Sequence, residues 1–168
     1  MSVSPSVREA WGANARVNEV FLMHLTPEML AAGTPGGGYT VARHVAHILN
    51  TVQYWGSLRD KERLEALPSP IREHDEATGR VEVETDLARL QDIKRQTETT
   101  ALAVAEAEPD GAALPPGEWE SPHATPDAYL IHMMVHDAHH RGQILLALKT
   151  SGFALPDEDA VWGPWRGE

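Results

Sequence analysis

Apolar residues recur at intervals of three and four along much of the chain, which is the spacing typical of amphipathic helices. Four long stretches have this pattern: Pro5 to Leu25, Thr40 to about Leu64, Thr85 to about Glu108, and Pro126 to Lys149. The last has the clearest start, since Thr125 can cap it and Pro126 suits the first helical position. Thr85 is the expected cap of the third, and Ser151-Gly152 ends the fourth. Four long helices are therefore predicted.

The segments between these helices are rich in Gly, Pro and short polar residues, which predicts loops. One short helix, Glu28 to Ala32, is expected within them because Thr26-Pro27 is a typical helix start. The stretch Ile71 to Glu84 is predicted to be a loop, although Val81 and Val83 flank a polar residue. The tail, Phe153 to Glu168, contains two prolines and is expected to be an extended segment anchored by Trp162 and Trp165. The remaining predicted loops are Gly33 to Gly38, Leu67 to Pro70 and Ala112 to Ala124.

Four long helices without a convincing strand predict an all-α fold, a four-helix bundle with long crossover loops. The chain has 168 residues, enough for one domain that buries roughly 70% of its unfolded surface. A single domain over residues 1–168 is therefore expected. In such bundles, ligand and metal sites are built from side chains on facing helices.

Charge and composition exclude several classes of function. The 14 Lys and Arg against 25 Asp and Glu give a net charge of −11, which repels a phosphate backbone, so no nucleic-acid partner is expected. No stretch approaches the ~20 apolar residues of a membrane span, and no signal peptide is recognisable, so no membrane partner and a cytoplasmic location are expected. The chain has no cysteine, and any transition-metal site must therefore use His, Asp or Glu.

Four of the nine histidines lie within nine residues of the last helix: His132, His136, His139 and His140. Residues four apart share a helix face, so His136 and His140 can converge on one ion at metal–nitrogen distances of about 2.0–2.1 Å. A bare His-x-x-x-His pair fits hydrogen-bonded helix contacts equally well. A third ligand is needed to distinguish the two.

The second helix offers two histidines for that third position. His44 belongs to the apolar stripe of Ile48 and Val52, which favours a packed core histidine. His47 lies on the adjoining face, and with His136 and His140 it would complete a set of three imidazoles. Three protein ligands with open positions are typical of a catalytic rather than a structural metal site.

Two motifs carry a resemblance to a known family: T-V-A-R-H-V-A-H-I in the second helix and H-D-A-H-H-R-G-Q-I in the fourth. Together they resemble the DinB/YfiT-like superfamily of metal-dependent enzymes. The resemblance implies a down-up-up-down four-helix bundle, a zinc or nickel ion bound by His47, His136 and His140, and a homodimer. Characterised relatives transfer bacillithiol or other low-molecular-weight thiols to electrophiles, and a related branch contains mycothiol-dependent isomerases.

Several other residues, inside and outside these motifs, have less specific expected roles. Asp137 stands where family members often have Glu, and it is a possible partner of a ligand. Arg141 is expected to pair with a carboxylate of another helix, and Gly142 to permit close helix approach. Either His44 or His132 can replace a predicted ligand, whereas His139 is expected to support a ligand or a helix contact. Solvated positions are expected for His24, His74 and His123, and core positions for Trp11 and Trp55.

A divalent ion held by three neutral imidazoles lowers the pKa of a bound thiol or water. The first functional hypothesis is therefore metal-assisted transfer of a low-molecular-weight thiol to a small-molecule substrate, with the general base unassigned. Metal-dependent hydrolysis is an alternative that no sequence feature separates from it. A non-enzymatic metal or small-ligand binding bundle of a stress response is a further alternative, as is a dimerising bundle whose histidines are packing residues.

Overall fold

The computed structural model describes residues 3–107 and 123–167. Seven helices and one two-stranded sheet lie within these residues, so the all-α prediction is confirmed. The order of helix directions stays a prediction. The elements are α1 (Pro5–His24), α2 (Pro27–Leu30), α3 (Val41–Ser57), α4 (Lys61–Glu65), β1 (Ile71–Asp75), β2 (Arg80–Val83), α5 (Leu87–Ala107), α6 (Pro126–Thr150) and α7 (Glu158–Arg166).

Three predicted helix starts are formed by threonine caps. The side chains of Thr26, Thr40 and Thr125 accept hydrogen bonds from backbone N–H groups three residues later. Each bond satisfies a donor that would otherwise lack a partner in the first helical turn. The fourth predicted cap, Thr85, is wrong, because Asp86 Oδ1 accepts from the N–H groups of Ala88 and Arg89 instead.

The second predicted helix is interrupted. Helix α3 ends at Ser57, and the N–H groups of Arg59 and Asp60 both bond to the carbonyl of Gly56. The side chain of Asp60 then caps α4 by accepting from Arg63 N–H. An internal cap thus starts a second, short helix, which apolar spacing alone did not reveal.

The stretch predicted as a loop between Ile71 and Glu84 contains an antiparallel hairpin, so that prediction was wrong. Strand β1 pairs with β2 through partners that include His74 with Val81 and Asp75 with Arg80. The turn is closed by Asp75, whose carboxylate accepts from the N–H groups of Ala77 and Thr78 and from the Thr78 hydroxyl. Only short apolar alternation marks these strands in the sequence.

The tail was also predicted wrongly, because residues 158–166 form helix α7. Asp157 caps this helix, and Gly167 ends it at a φ of 79°. The two indoles do not anchor the tail: Trp162 is 56% exposed and Trp165 is 46% exposed. Helix α7 packs against α1.

The four long helices enclose the core. Helix α3 contacts α5 and α6, and α1 contacts α5, α6 and α7. One apolar cluster joins the end of α1 to α3 and the last turns of α6, and a second lies around Trp11, Val52 and Tyr129. Trp11 is buried as predicted, and Trp55 is partly buried against the second cluster. Within the described residues, no helix is both long and apolar enough to cross a lipid bilayer.

Candidate metal centre

The three predicted ligands meet at the contact between α3 and α6. One nitrogen from each of His47, His136 and His140 lies within 4.8 Å of the other two. His136 Nε2 is 3.2 Å from His47 Nε2. Two nitrogens at about 2.0–2.1 Å from a tetrahedral ion lie roughly 3.3 Å apart, so this pair already has the separation of two ligands of one ion.

The electrostatics of the cluster keep its imidazoles neutral. Burial, reinforced by the neighbouring histidines, lowers the pKa of His140 to about 3 and that of His136 to about 4. Burial also lowers the pKa of His47, and the positive charge of Arg43 acts in the same direction. Neutral imidazole is the form that binds metal. The donor set therefore fits a divalent transition-metal ion without any proton having to leave near pH 7.

His44 forms a hydrogen bond with His140, one of the three converging histidines. It is buried, as the sequence suggested, and its Nδ1 lies 2.9 Å from His140 Nδ1. That contact occupies Nδ1 of His140 and leaves its Nε2 for an ion. Ligand histidines commonly have their second nitrogen fixed by such a hydrogen bond, which sets the tautomer and the ring orientation.

Asp137 anchors α6 to α1 directly beside the cluster. Its Oδ2 accepts from Asn14 Nδ2 at 2.8 Å and from Asn18 Nδ2 at 2.9 Å. Arg141 donates to the side-chain oxygens of the same two asparagines, and it also interacts electrostatically with the carboxylates of Asp137 and Glu98. Burial raises the pKa of Asp137 to about 6, against the effect of the two asparagines.

One side of this network is left without a partner. Asp137 Oδ1 and His136 Nδ1 are both buried, and neither has a hydrogen-bond partner among the described residues. They lie 4.0 Å apart, beyond hydrogen-bond distance. A carboxylate next to the second nitrogen of a ligand histidine is a recurring feature of metal sites, so Asp137 is well placed to support His136.

The two histidines left open as replacement ligands have other partners. His44 contacts His140, and His132 Nδ1 lies 2.6 Å from His123 Nε2. His123 is therefore buried rather than solvated, which corrects the sequence prediction, and its ring stacks edge-on against Trp55.

His139 is exposed, as is His74. Gly142 is exposed too, and a Cβ there would meet nothing within 4 Å. The prediction that it permits close packing of two helices is therefore wrong within a single chain.

Tyr39 lies against the histidine cluster, although no pattern in the sequence indicated it. The preceding loop folds back through Gly36 and Gly37, both at a φ of 80°, and the carbonyl of Tyr39 accepts from Thr34 N–H. Its ring centroid consequently lies 5.5 Å from that of His44 and 6.1 Å from that of His47. Only the folded loop brings this ring to the histidines.

Comparison with known proteins agrees with the geometry of the histidines. A model of the DinB family matches residues 1–167. The chain belongs to the DinB family. The resemblance seen in the two histidine motifs is thereby confirmed over nearly the whole chain. Outside this DinB match, no curated protein and no solved structure matches the chain significantly.

Proposed function

We propose that this DinB protein is a metal-dependent enzyme that transfers a low-molecular-weight thiol to a small electrophilic substrate. The observation that carries the proposal is the convergence of neutral His47, His136 and His140 imidazoles within 4.8 Å. A divalent ion bound there, zinc or nickel by analogy with the family, would lower the pKa of a coordinated thiol toward neutral pH.

The residues of the chain would hold the ion and leave room for substrate. Three imidazoles would supply three ligands, while His44 and His132 are hydrogen-bonded to other histidines. A fourth protein ligand is therefore lacking among the described residues, as in catalytic sites and unlike closed structural ones. This favours an enzyme over a storage or sequestration protein.

The lack of cysteine favours an external thiol as the nucleophile. No residue of the chain can supply a protein thiolate. In the proposed reaction the thiol loses its proton to water, and its sulfur forms a bond to the electrophilic carbon. The bond from that carbon to chloride, or to the ring oxygen of an epoxide, breaks with both electrons going to chloride or oxygen, and the epoxide oxygen then takes up a proton.

Metal analysis is the first test. Tag-free protein is dialysed against zinc or nickel near pH 7, and the bound metal per chain is measured beside His136→Ala and His139→Ala. We expect about one ion per chain in the parent and in His139→Ala, because His139 contacts the His140 ring but is not one of the three converging histidines. We expect loss of the ion in His136→Ala. A parent without metal after reloading would overturn the proposal.

Activity then separates the transferase from its alternatives. The loaded protein is incubated with a small thiol and an electrophile such as a chloronitrobenzene or an epoxide, and thioether formation is followed. Product that depends on the thiol, the metal and His136 supports thiol transfer. Metal-dependent consumption of the electrophile by water alone would instead indicate a hydrolase, and a loaded protein inert toward both would indicate a binding protein.

A further inference from the structure

A cavity of about 320 Å³ lies beside the metal centre and shares His47 with it. Helix α3 contributes one wall, and the β-hairpin contributes the other. The cavity is lined by Tyr39, Arg43, His47, Asn50 and three hairpin residues, Ile71, His74 and Val81. A substrate that reaches the metal centre from this side must pass these residues.

The face of the hairpin that lines the cavity carries no acidic residue. His74 pairs with Val81, and the neighbouring pair, Glu73 with Glu82, must point to the opposite face because side chains alternate along a strand. A register shift between Ile71 and Glu73 then returns Ile71 to the face of His74. The bulge thus adds an apolar residue to the cavity wall, and the alternation of side chains keeps both glutamates out of it.

The cavity consequently has a positive character in a strongly acidic protein. The chain carries a net charge of −11, yet no carboxylate lines this cavity. Arg43 supplies a full positive charge, and among the described residues no carboxylate lies within 4.0 Å of it. Its guanidinium stacks over the Tyr39 ring at 4.2 Å from the centroid, and stacking leaves the N–H edges free to donate.

Arg43 and His47 lie one helical turn apart, with a rise of about 6 Å between them. A guanidinium presents a planar pair of donors that matches a carboxylate. One small molecule can therefore contact Arg43 with its carboxylate and the metal centre with a second group. Ile71 and Val81 offer apolar contact to the carbon atoms between the two.

We infer that this cavity binds the carboxylate of a small-molecule substrate through Arg43, while a thiol of the same molecule lies at the histidine cluster. The inference deepens the proposed function and rests on it. Arg43 is then a residue that determines specificity for acidic thiols. Tyr39 contacts the guanidinium with the face of its ring.

The test compares a charged thiol with its neutral counterpart. Cobalt-loaded protein is titrated with 3-mercaptopropionate and with 3-mercaptopropionamide, and binding is followed by the sulfur-to-cobalt absorption band. We expect the parent to bind the carboxylate about ten-fold more tightly than the amide, the usual effect of one charge-assisted hydrogen bond pair. Arg43→Gln should bind the two equally, and Arg43→Lys should keep part of the preference.

Arg80→Gln is the matched control, because it removes the same charge from the hairpin at a residue that pairs with Glu82 and does not line the cavity. It should keep the preference of the parent. An unchanged preference in Arg43→Gln would overturn the inference, since the metal charge alone would then select the carboxylate. Equal binding of both thiols by the parent would overturn it as well and leave the metal centre intact. Failure of cobalt to bind would overturn the proposed function and this inference together.

Discussion

The hydrogen bond between His44 and His140 has consequences for both metal affinity and folding. A metal bound through Nε2 of His140 requires the proton on its Nδ1, which then donates to Nδ1 of His44. His44 must in turn carry its proton on Nε2, and that atom is buried without a partner among the described residues. The orientation of the ligand therefore comes at a cost in stability, because a buried unpaired donor is destabilising.

We expect His44→Leu to separate these two effects. Metal affinity should fall about ten-fold or more, the usual result of losing a hydrogen bond that orients a ligand. The metal-free protein should unfold at a nearly unchanged urea concentration, because loss of the unpaired Nε2 donor is offset by the Nδ1 of buried His140, which loses its partner. The two measurements are a zinc titration against a competing chelator and urea unfolding.

His44→Asn is the control for this change. Its side-chain oxygen can accept from His140 at the position of Nδ1, so most of the affinity should remain. Equal affinity losses in the Leu and Asn variants would show that His44 acts by filling space. Unchanged affinity in both would remove it from the site.

At the scale of helices, two glycines occupy opposite environments. Gly56, in α3, faces Tyr129 and Leu64 so closely that an added Cβ would lie 2.8 Å from the Tyr129 hydroxyl and 3.0 Å from Leu64 Cγ. The Tyr129 hydroxyl is itself buried and donates to the carbonyl of Val52. Gly142, in α6, is exposed with nothing within 4 Å of such a Cβ.

The same substitution should therefore have opposite effects at the two sites. Gly56→Ala is expected to lower the free energy of unfolding by roughly 1–3 kcal/mol through overpacking. Gly142→Ala is expected to raise it by about 0.5–1 kcal/mol, the helix propensity difference. Both are measured by urea unfolding at low protein concentration. A destabilised Gly142→Ala variant would contradict the exposed position and would indicate that a second copy of the chain packs there, as the expected homodimer permits.

The elements differ in how far the sequence predicts them. The long helices follow from apolar spacing and threonine caps, because both signals are local. The hairpin was missed since β1, I-R-E-H-D, has one apolar residue and its stability depends on pairing with β2. Helix α7 was missed although Asp157 followed by Glu158 and Asp159 is a recognisable helix start, because Pro164 and the two tryptophans favoured an extended segment.

The candidate site shows the same limit. His47, His136 and His140 could be predicted because helical spacing and the family motifs identify them without a three-dimensional structure. Tyr39 and the partner of His123 could not, since only the folded loop and the approach of α6 bring those rings to their neighbours. Distant contacts of this kind leave no periodic pattern in the sequence.

At the scale of the whole molecule, two sets of buried groups give opposite pH dependence to the metal-free protein. Folding lowers the pKa of five histidines, His44, His47, His123, His136 and His140. Below a pH of about 6.5 the unfolded chain protonates these imidazoles and the folded chain does not, so stability rises with pH. Burial raises the pKa of Asp137 to about 6 and that of Glu98 to about 7. The folded chain keeps those two protons to a higher pH than the unfolded chain does. The contribution of these two carboxyl groups to the free energy of unfolding therefore falls as the pH rises from about 4 to 7.

Because five histidines oppose two carboxyl groups, the histidines determine the sign of the pH dependence of stability between pH 4 and 6.5. Each net proton contributes about 1.4 kcal/mol per pH unit. Three net protons set an upper limit of about 4 kcal/mol per pH unit, and because some of these groups titrate only partly near pH 5, the free energy of unfolding should increase there by on the order of 2–4 kcal/mol per pH unit. Urea unfolding of metal-free protein at several pH values measures this slope, and one cooperative transition is what the predicted single domain requires. His140→Ala removes one contributing imidazole and should flatten the slope. A stability that falls from pH 4 to 6.5 would show that the buried carboxyl groups prevail and that the histidine cluster is not held neutral by the fold.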